Sequence, residues 1–407
     1  MSALILLSSL ALAQDDSQDD ESLDGETLTQ GVPALRLGPS AAPPPISMSA
    51  ASGKWPSTVA AGAAALDLEE DFVGGCYDAA QYLYKREYSA ALDRFGTVEK
   101  AFPNRGVGHM GLVMVLQANM MENSDFAGEA KYKKHSAAAI EELDLALDQP
   151  GHQAWENFLL GAIHGVSAIH VMRRGDYLPA INKGLTAIGH IDEVRVQAPD
   201  FKDILLFDGL WDYWKSNVSL SSKAIPDEDN RARGIKRMKQ AEREATFMGP
   251  GASLSLAYTY IEERDFESAL AETGRNNRAY PHNVINNMVH ARNYLYLRRY
   301  DDTLRTLKQV VADDPDNERA HYYFATTYLR KGDLKTAETH IDTYLAFDGV
   351  DEYHQAQAQS RKADIAYKRK DYATAESWYK SAVKTDGYKP AKRRLDKLKQ
   401  MKKDGKY

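Results

Sequence analysis

One spacing constrains this chain more than any other feature. Ala257, Tyr260, Phe266, Ala269 and Pro281 return 34 residues later as Ala291, Tyr294, Tyr300, Thr303 and Pro315, and again as Ala325, Tyr328, Leu334, Ala337 and Gly349. A fourth copy (Ala363, Ala366, Tyr372, Ala375, Gly387) keeps the internal spacing but starts four residues late. An earlier copy holds Ala79, Tyr82, Tyr88, Ala91, Phe95 and Pro103. Apolar and small residues at three- and four-residue steps share one helical face. Each copy therefore reads as two helices and a tight turn. The small residues let the two helices approach, and the aromatic ones fill the space between one pair and the next. Asp301, Asp333 and Asp371 stand near the expected helix starts, where a carboxylate is favoured. Pro281 and Pro315 stand where a second helix must stop. No unit of this kind can bury its own apolar face, so the units must stack.

The pattern resembles the tetratricopeptide repeat family, whose signature is a 34-residue helix-turn-helix with small, aromatic and Pro positions. The resemblance covers four regular repeats over residues 250–388 and one over 72–105. It implies an all-α, right-handed superhelical solenoid of about eight helix pairs behind a disordered N-terminal tail. Residues 67–249 are expected to hold pairs of the same type with expanded spacing. A longer connection falls around MENSDFAGEAKYKK, and a long helix contains WENFLLGAIHGVSAIHVM. Residues 389–407 read as a basic capping helix, with Leu395 and Leu398 covering the last pair. Residues 384–407 carry ten Lys or Arg against three Asp. A solvated cap is the favoured reading, and a weak contact with anionic surfaces is the other.

Residues 1–13, MSALILLSSLALA, read as a secretory signal peptide ending in an A-x-A cleavage site. Residues 14–66 read as a disordered tether, acidic at first and then rich in Pro, Ser and Ala. The expected location is therefore outside the cytoplasm, periplasmic or extracellular in a bacterium. A net charge of -7 gives no ground for a nucleic-acid partner. No later run reaches the ~18 apolar residues of a membrane span. Cys76 is the only cysteine, so no intramolecular disulfide forms, and a small buried residue is expected there.

Signatures of catalysis are missing. The sequence has no HExxH, nucleophile elbow, P-loop or Cys pair, so no catalytic residue, metal or cofactor is assigned and a non-enzymatic role is expected. His109, Met110, Met114 and Met121 offer donors suited to Cu(I), but a Met stripe at helical spacing reads first as core filling. His164 and His170 stand six apart and read as packing or surface residues. Trp211 and Trp214 read as fillers of a wide interhelical space.

The family resemblance implies that the first helix of each pair lines a concave face. Carried onto this sequence, that face would offer Tyr258, Met288, Arg292, Tyr296, Arg319, Tyr322, Arg330 and Tyr367, together with Thr326 and Asp364. Tyr and Arg dominate binding hot spots. The expected function is a protein-interaction scaffold or adaptor of the cell envelope, holding a peptide or partner protein in the groove. The alternative is a small-ligand- or metal-binding envelope protein using a pocket in the irregular middle.

Overall fold

The computed structural model describes residues 54–122, 126–151, 153–174, 176–222 and 228–407. The expected signal peptide, and the tether up to residue 53, lie outside the described residues. Among those described, all regular structure is helical. A first helix, α1 (Ser57–Leu66), precedes eight pairs and a final helix. The pairs are α2 (Glu70–Tyr84) with α3 (Tyr88–Ala101), α4 (Val107–Glu122) with α5 (Glu129–Leu147), and α6 (Gln153–Arg173) with α7 (Tyr177–Gln197). Next come α8 (Ile204–Ser222) with α9 (Arg231–Glu244), α10 (Gly249–Glu262) with α11 (Phe266–Ala279), and α12 (Val284–Tyr296) with α13 (Tyr300–Asp313). The last are α14 (Glu318–Lys331) with α15 (Leu334–Leu345), α16 (Glu352–Lys368) with α17 (Tyr372–Asp386), and the closing α18 (Lys389–Lys403). No described helix is long and apolar enough to cross a membrane.

The helix α1 is a correction to the expected tether, which was drawn as far as residue 66. Its sequence STVAAGAAAL is rich in Ala, the best helix former. Val59, Ala63 and Leu66 are buried, and the Thr58 carbonyl accepts from the Thr246 hydroxyl at 2.9 Å. An Ala-rich composition continuous with the Pro-, Ser- and Ala-rich stretch before it hid a helix that packs against distant residues.

Helix starts follow local chemistry. Asp265, Asp333, Asp351 and Asp371 each accept a hydrogen bond from the backbone three residues on, capping α11, α15, α16 and α17. Asp301 sits instead inside the first turn of α13, where its charge still favours the helix dipole. Between the two helices of a regular pair, one turn residue takes a left-handed backbone: Arg86, Arg264, Arg298, Gly332 and Lys370, with φ from 57° to 87°. Only one of the five is glycine.

The described residues form two compact units. The first holds the described residues of 54–119 and 127–286; the second holds 287–407 with residues 120–122 and 126. In the first unit, the chain closes on itself over long sequence distances. The Tyr84 hydroxyl donates to the Phe247 carbonyl at 3.1 Å, Tyr280 donates to Gln81 Oε1 at 2.8 Å, and the Asn283 amide donates to the Tyr84 carbonyl at 2.9 Å. Within it, Phe72 meets Phe102 and Trp155 edge-on at 5.3 and 5.1 Å, and Phe158 meets Phe201 and Phe247 at 5.0 and 6.2 Å. Asp203 is fully buried and takes backbone N–H bonds from Thr246, Phe247 and Met248 at 2.7 to 2.8 Å. That carboxylate closes the N-terminus of α10 from another helix pair. Burial pushes its carboxyl above the ordinary range while the three N–H groups oppose the shift.

In the second unit, Asn317 is fully buried. Its side chain caps α14 at the Ala320 N–H and donates to the Glu122 carbonyl at 3.0 Å. The helix α18 lays Leu395 and Leu398 on a cluster with Ala375, Tyr379 and Ala382 of α17.

Candidate functional site

The eight candidate groove residues divide by unit and by burial. Tyr258 belongs to the first unit, and the other seven to the second. Tyr258, Arg292, Arg319 and Tyr322 are buried, Tyr322 completely. Met288, Tyr296, Arg330 and Tyr367 are half-buried. An open groove lined evenly by all eight was expected. The burial of half of them differs from that expectation, because flat guanidinium and phenol groups stack well and fill the interval between successive first helices.

In the second unit, Arg319 and Tyr322 join a bonded array with Arg361, Asp364, Tyr379 and Arg394. The Arg319 guanidinium lies 4.3 Å over the Tyr322 ring and 5.3 Å over Tyr323, and donates to the Tyr344 hydroxyl at 3.5 Å. The Tyr322 hydroxyl accepts from Arg361 at 3.0 Å. Arg361 reaches Asp364 at 3.2 Å, one helical turn on. Asp364 also accepts from Tyr379 at 2.6 Å and takes Arg394 of α18 on both carboxylate oxygens at 2.6 Å. Both contacts come from the one Arg394 Nη1, a charge-assisted bond shared between the two oxygens and stronger than a neutral one. The array thus runs from α14 through α16 and α17 to α18. Thr326 is fully buried beside it on α14.

Around the array, half-buried groups reach solvent. The Tyr296 ring lies 6.0 Å from the Arg292 guanidinium. Arg330 donates to the Leu295 carbonyl at 3.3 Å, and the Tyr367 hydroxyl reaches the Met401 sulfur at 3.6 Å. Asp351, at the start of α16, has its carboxyl brought down to about 2. Burial pushes it up, but bonding to His354, with Arg319 adding attraction, outweighs that. Arg361 and Arg394 were missed as partners of Asp364. The i,i+3 spacing of Arg361 and Asp364 is legible in SRKADIAYK, whereas the reach of Arg394 from the cap is not.

The other sequence candidates lie in the first unit. Met110 and Met114 line an apolar cavity of about 70 Å³ with Cys76, Trp155, Phe158 and Phe247. The Cys76 thiol is buried and its pKa is pushed far up, chiefly by that burial, which fits a packing role. Trp214 is buried, in edge contact with Tyr213 at 5.1 Å, and Trp211 is half-buried. His170 is buried, with Nε2 3.0 Å from Glu129. Burial raises the Glu129 carboxyl, but bonds from Lys133, His170 and Arg174 bring it down to about 2. His109 turns away from the Met stripe to meet His135 at 3.1 Å.

Family profiles described as tetratricopeptide repeat match residues 294–360 and 348–390. Residues 294–390 are tetratricopeptide repeats. These tetratricopeptide repeats carry most of the Arg–Tyr–Asp array. No curated protein matches the sequence. Among solved structures, the human IFIT1 dimer with PPP-AAAA is similar at 12% identity and TM-score 0.48, over 86% of this chain and 87% of that one. The APC/C hetero-tetramer Cut9-Hcn1 is similar at 10% identity and TM-score 0.45, over 80% and 62%. Yeast Tom70 is similar at 12% identity and TM-score 0.40, over 83% of each chain.

Proposed function

We propose that this protein is a non-enzymatic interaction scaffold that holds a peptide or partner protein against the first helices of its tetratricopeptide repeats. The observation that carries the reading is the bonded array of Arg319, Tyr322, Arg361, Asp364 and Arg394, with Tyr296, Arg330 and Tyr367 half-exposed in the same unit. A rigid base under aromatic and cationic contact residues lowers the ordering cost of binding. A partner with carboxylates suits this surface. The apolar run and A-x-A end of MSALILLSSLALAQ support an envelope or extracellular setting in a bacterium.

The test is site-specific crosslinking in native cells. A photo-reactive residue is placed at Tyr296, Arg330 or Tyr367, and at Lys335 on the second helix α15 as the comparison. A single protein captured from the first three positions and not from Lys335 supports the scaffold. Equal capture from all four, or none from the first three, overturns it.

A second reading rests on the apolar cavity beside Met110 and Met114. Such a cavity suits a small apolar molecule. An apolar fluorescent probe that binds the wild type and is lost from an Ala162→Phe variant, which fills the space, would favour it.

A further inference from the structure

Six of the eleven histidines meet in pairs, and each pair joins the two helices of one repeat. His109 of α4 faces His135 of α5, and His321 of α14 faces His340 of α15. These two pairs share one geometry: Nδ1 atoms 3.1 Å apart and ring centroids 5.3 Å apart. The third pair differs. His164 and His190 lie parallel at 5.6 Å, and the His190 Nδ1 is engaged with Asn157 Oδ1 at 2.9 Å.

Two ring nitrogens at 3.1 Å need something shared between them. A proton on one ring serves in the metal-free protein. A metal cation serves equally well. Two imidazole nitrogens, each about 2.0–2.1 Å from a tetrahedral Zn²⁺, lie about 3.3 Å apart. All four rings are half-buried, so ions and water can reach them. Burial holds His135, His321 and His340 below the ordinary imidazole range, with the partner ring adding to this at His135 and His340. Neutral imidazole is the form that binds metal. At the first pair, Lys131 and Lys134 of α5 face the site with positive charge. Glu142 of α5, whose carboxyl feels His109 and Glu99 of α3, offsets them. The second pair sits among the rings of Phe324, Tyr328 and Phe347.

We propose that His109 with His135, and His321 with His340, are each a two-imidazole site for one divalent transition-metal cation of the Zn²⁺, Ni²⁺ or Cu²⁺ class. Among the described residues no three His, Cys, Asp or Glu side chains converge on one ion position. Water therefore completes the coordination, and the site is open and exchangeable rather than closed and structural. A bound ion clips the two helices of its repeat together. The inference stands on the ring geometry and is independent of the scaffold reading.

Untagged full-length protein is dialysed against Ni²⁺ at pH 7.5, and bound metal is counted by mass spectrometry. His135→Gln and His340→Gln are each expected to lose one ion relative to wild type, and the double variant two. His190→Gln, at the stacked pair, loses none. Acidification releases both ions, because protons compete with the metal for the ligand nitrogens. Circular dichroism without metal confirms that each variant is folded. The proposal is overturned if the wild type binds no Ni²⁺, if the double variant keeps the wild-type count, or if His190→Gln loses as much as His135→Gln.

Discussion

The two units fill their interiors differently. In the first, rings meet rings: Phe72, Trp155, Phe158, Phe201 and Phe247 pack edge-on and stacked. Its buried ion pairs, such as Arg231 with Glu263 at 3.0 Å, tie neighbouring helix pairs at α9 and α10. In the second, the stack of first helices is held by the Arg–Tyr–Asp array. Aromatic packing is tolerant of direction and depends on volume. A buried guanidinium is the reverse: it demands partners at fixed positions. One helix-pair plan thus accepts two kinds of filling, and in the second unit the polar filling lies beneath the candidate surface.

The largest effect that would break this contrast is loss of the array's one shared carboxylate. Asp364→Ala leaves buried Arg361 and half-buried Arg394 without it, and is expected to lower stability by about 3–5 kcal/mol. Asp364→Leu, which restores volume but no charge, should rescue little of that. A urea midpoint for Asp364→Leu near the wild-type value would show that shape alone holds the second unit.

In the first unit, Phe158→Ala is expected to cost about 3–4 kcal/mol through lost ring contacts and a cavity. Here restored volume should rescue: Phe158→Leu costs less than half as much. The same urea titration, read by the fluorescence of Trp155 in edge contact with the ring cluster, checks it. An equal cost for Ala and Leu would erase the distinction between the units.

Acid should weaken the first unit through the stacked histidines. His164 is lowered to about 4 by burial and then by the neighbouring His190, whereas an unfolded chain titrates near pH ~6.5. The unfolded state therefore takes up the proton first. Stability present above pH ~6.5 is lost as pH falls toward 4. Solvent screening at this half-exposed ring keeps the loss to about 1–2 kcal/mol. Thermal melts between pH 7 and 4 should show a slope that His164→Gln removes. An unchanged slope would assign the acid sensitivity to other groups.

The smallest expected effect concerns the turns. Gly332 has φ 87°, and a Cβ there would meet nothing within 4 Å. Gly332→Ala is therefore expected to cost about 1 kcal/mol of backbone strain alone. Arg298, at the equivalent turn with φ 57°, should gain up to about 0.5 kcal/mol as Arg298→Gly, because Gly also loses entropy on folding. Paired thermal melts check both signs.

Much of this was legible in the chain. The 34-residue spacing located the regular helices, because helical periodicity and turn residues are local properties. The carboxylates Asp333 and Asp371 announced their caps for the same reason. The helix α1 was not legible, since its stability comes from contact with Thr246 far along the chain. The role of Asp203 was hidden likewise: its three N–H partners lie at 246 to 248.

The candidate site shows the same division. The family resemblance implied that Tyr322, Arg319 and Asp364 line a concave face, and the structure shows all three buried. Whether an inner position becomes open surface or packed interior depends on how closely the next helix approaches, and on which side chain it brings. The sequence by itself determined the helix pairs, their caps and their obligation to stack, all set by interactions within a few turns of chain. Only the tertiary structure decided that Arg394 reaches back to Asp364, that Tyr322 is sealed from water, and that histidines 26 and 19 residues apart meet ring to ring. Those outcomes depend on the distance between helices, which no local pattern encodes.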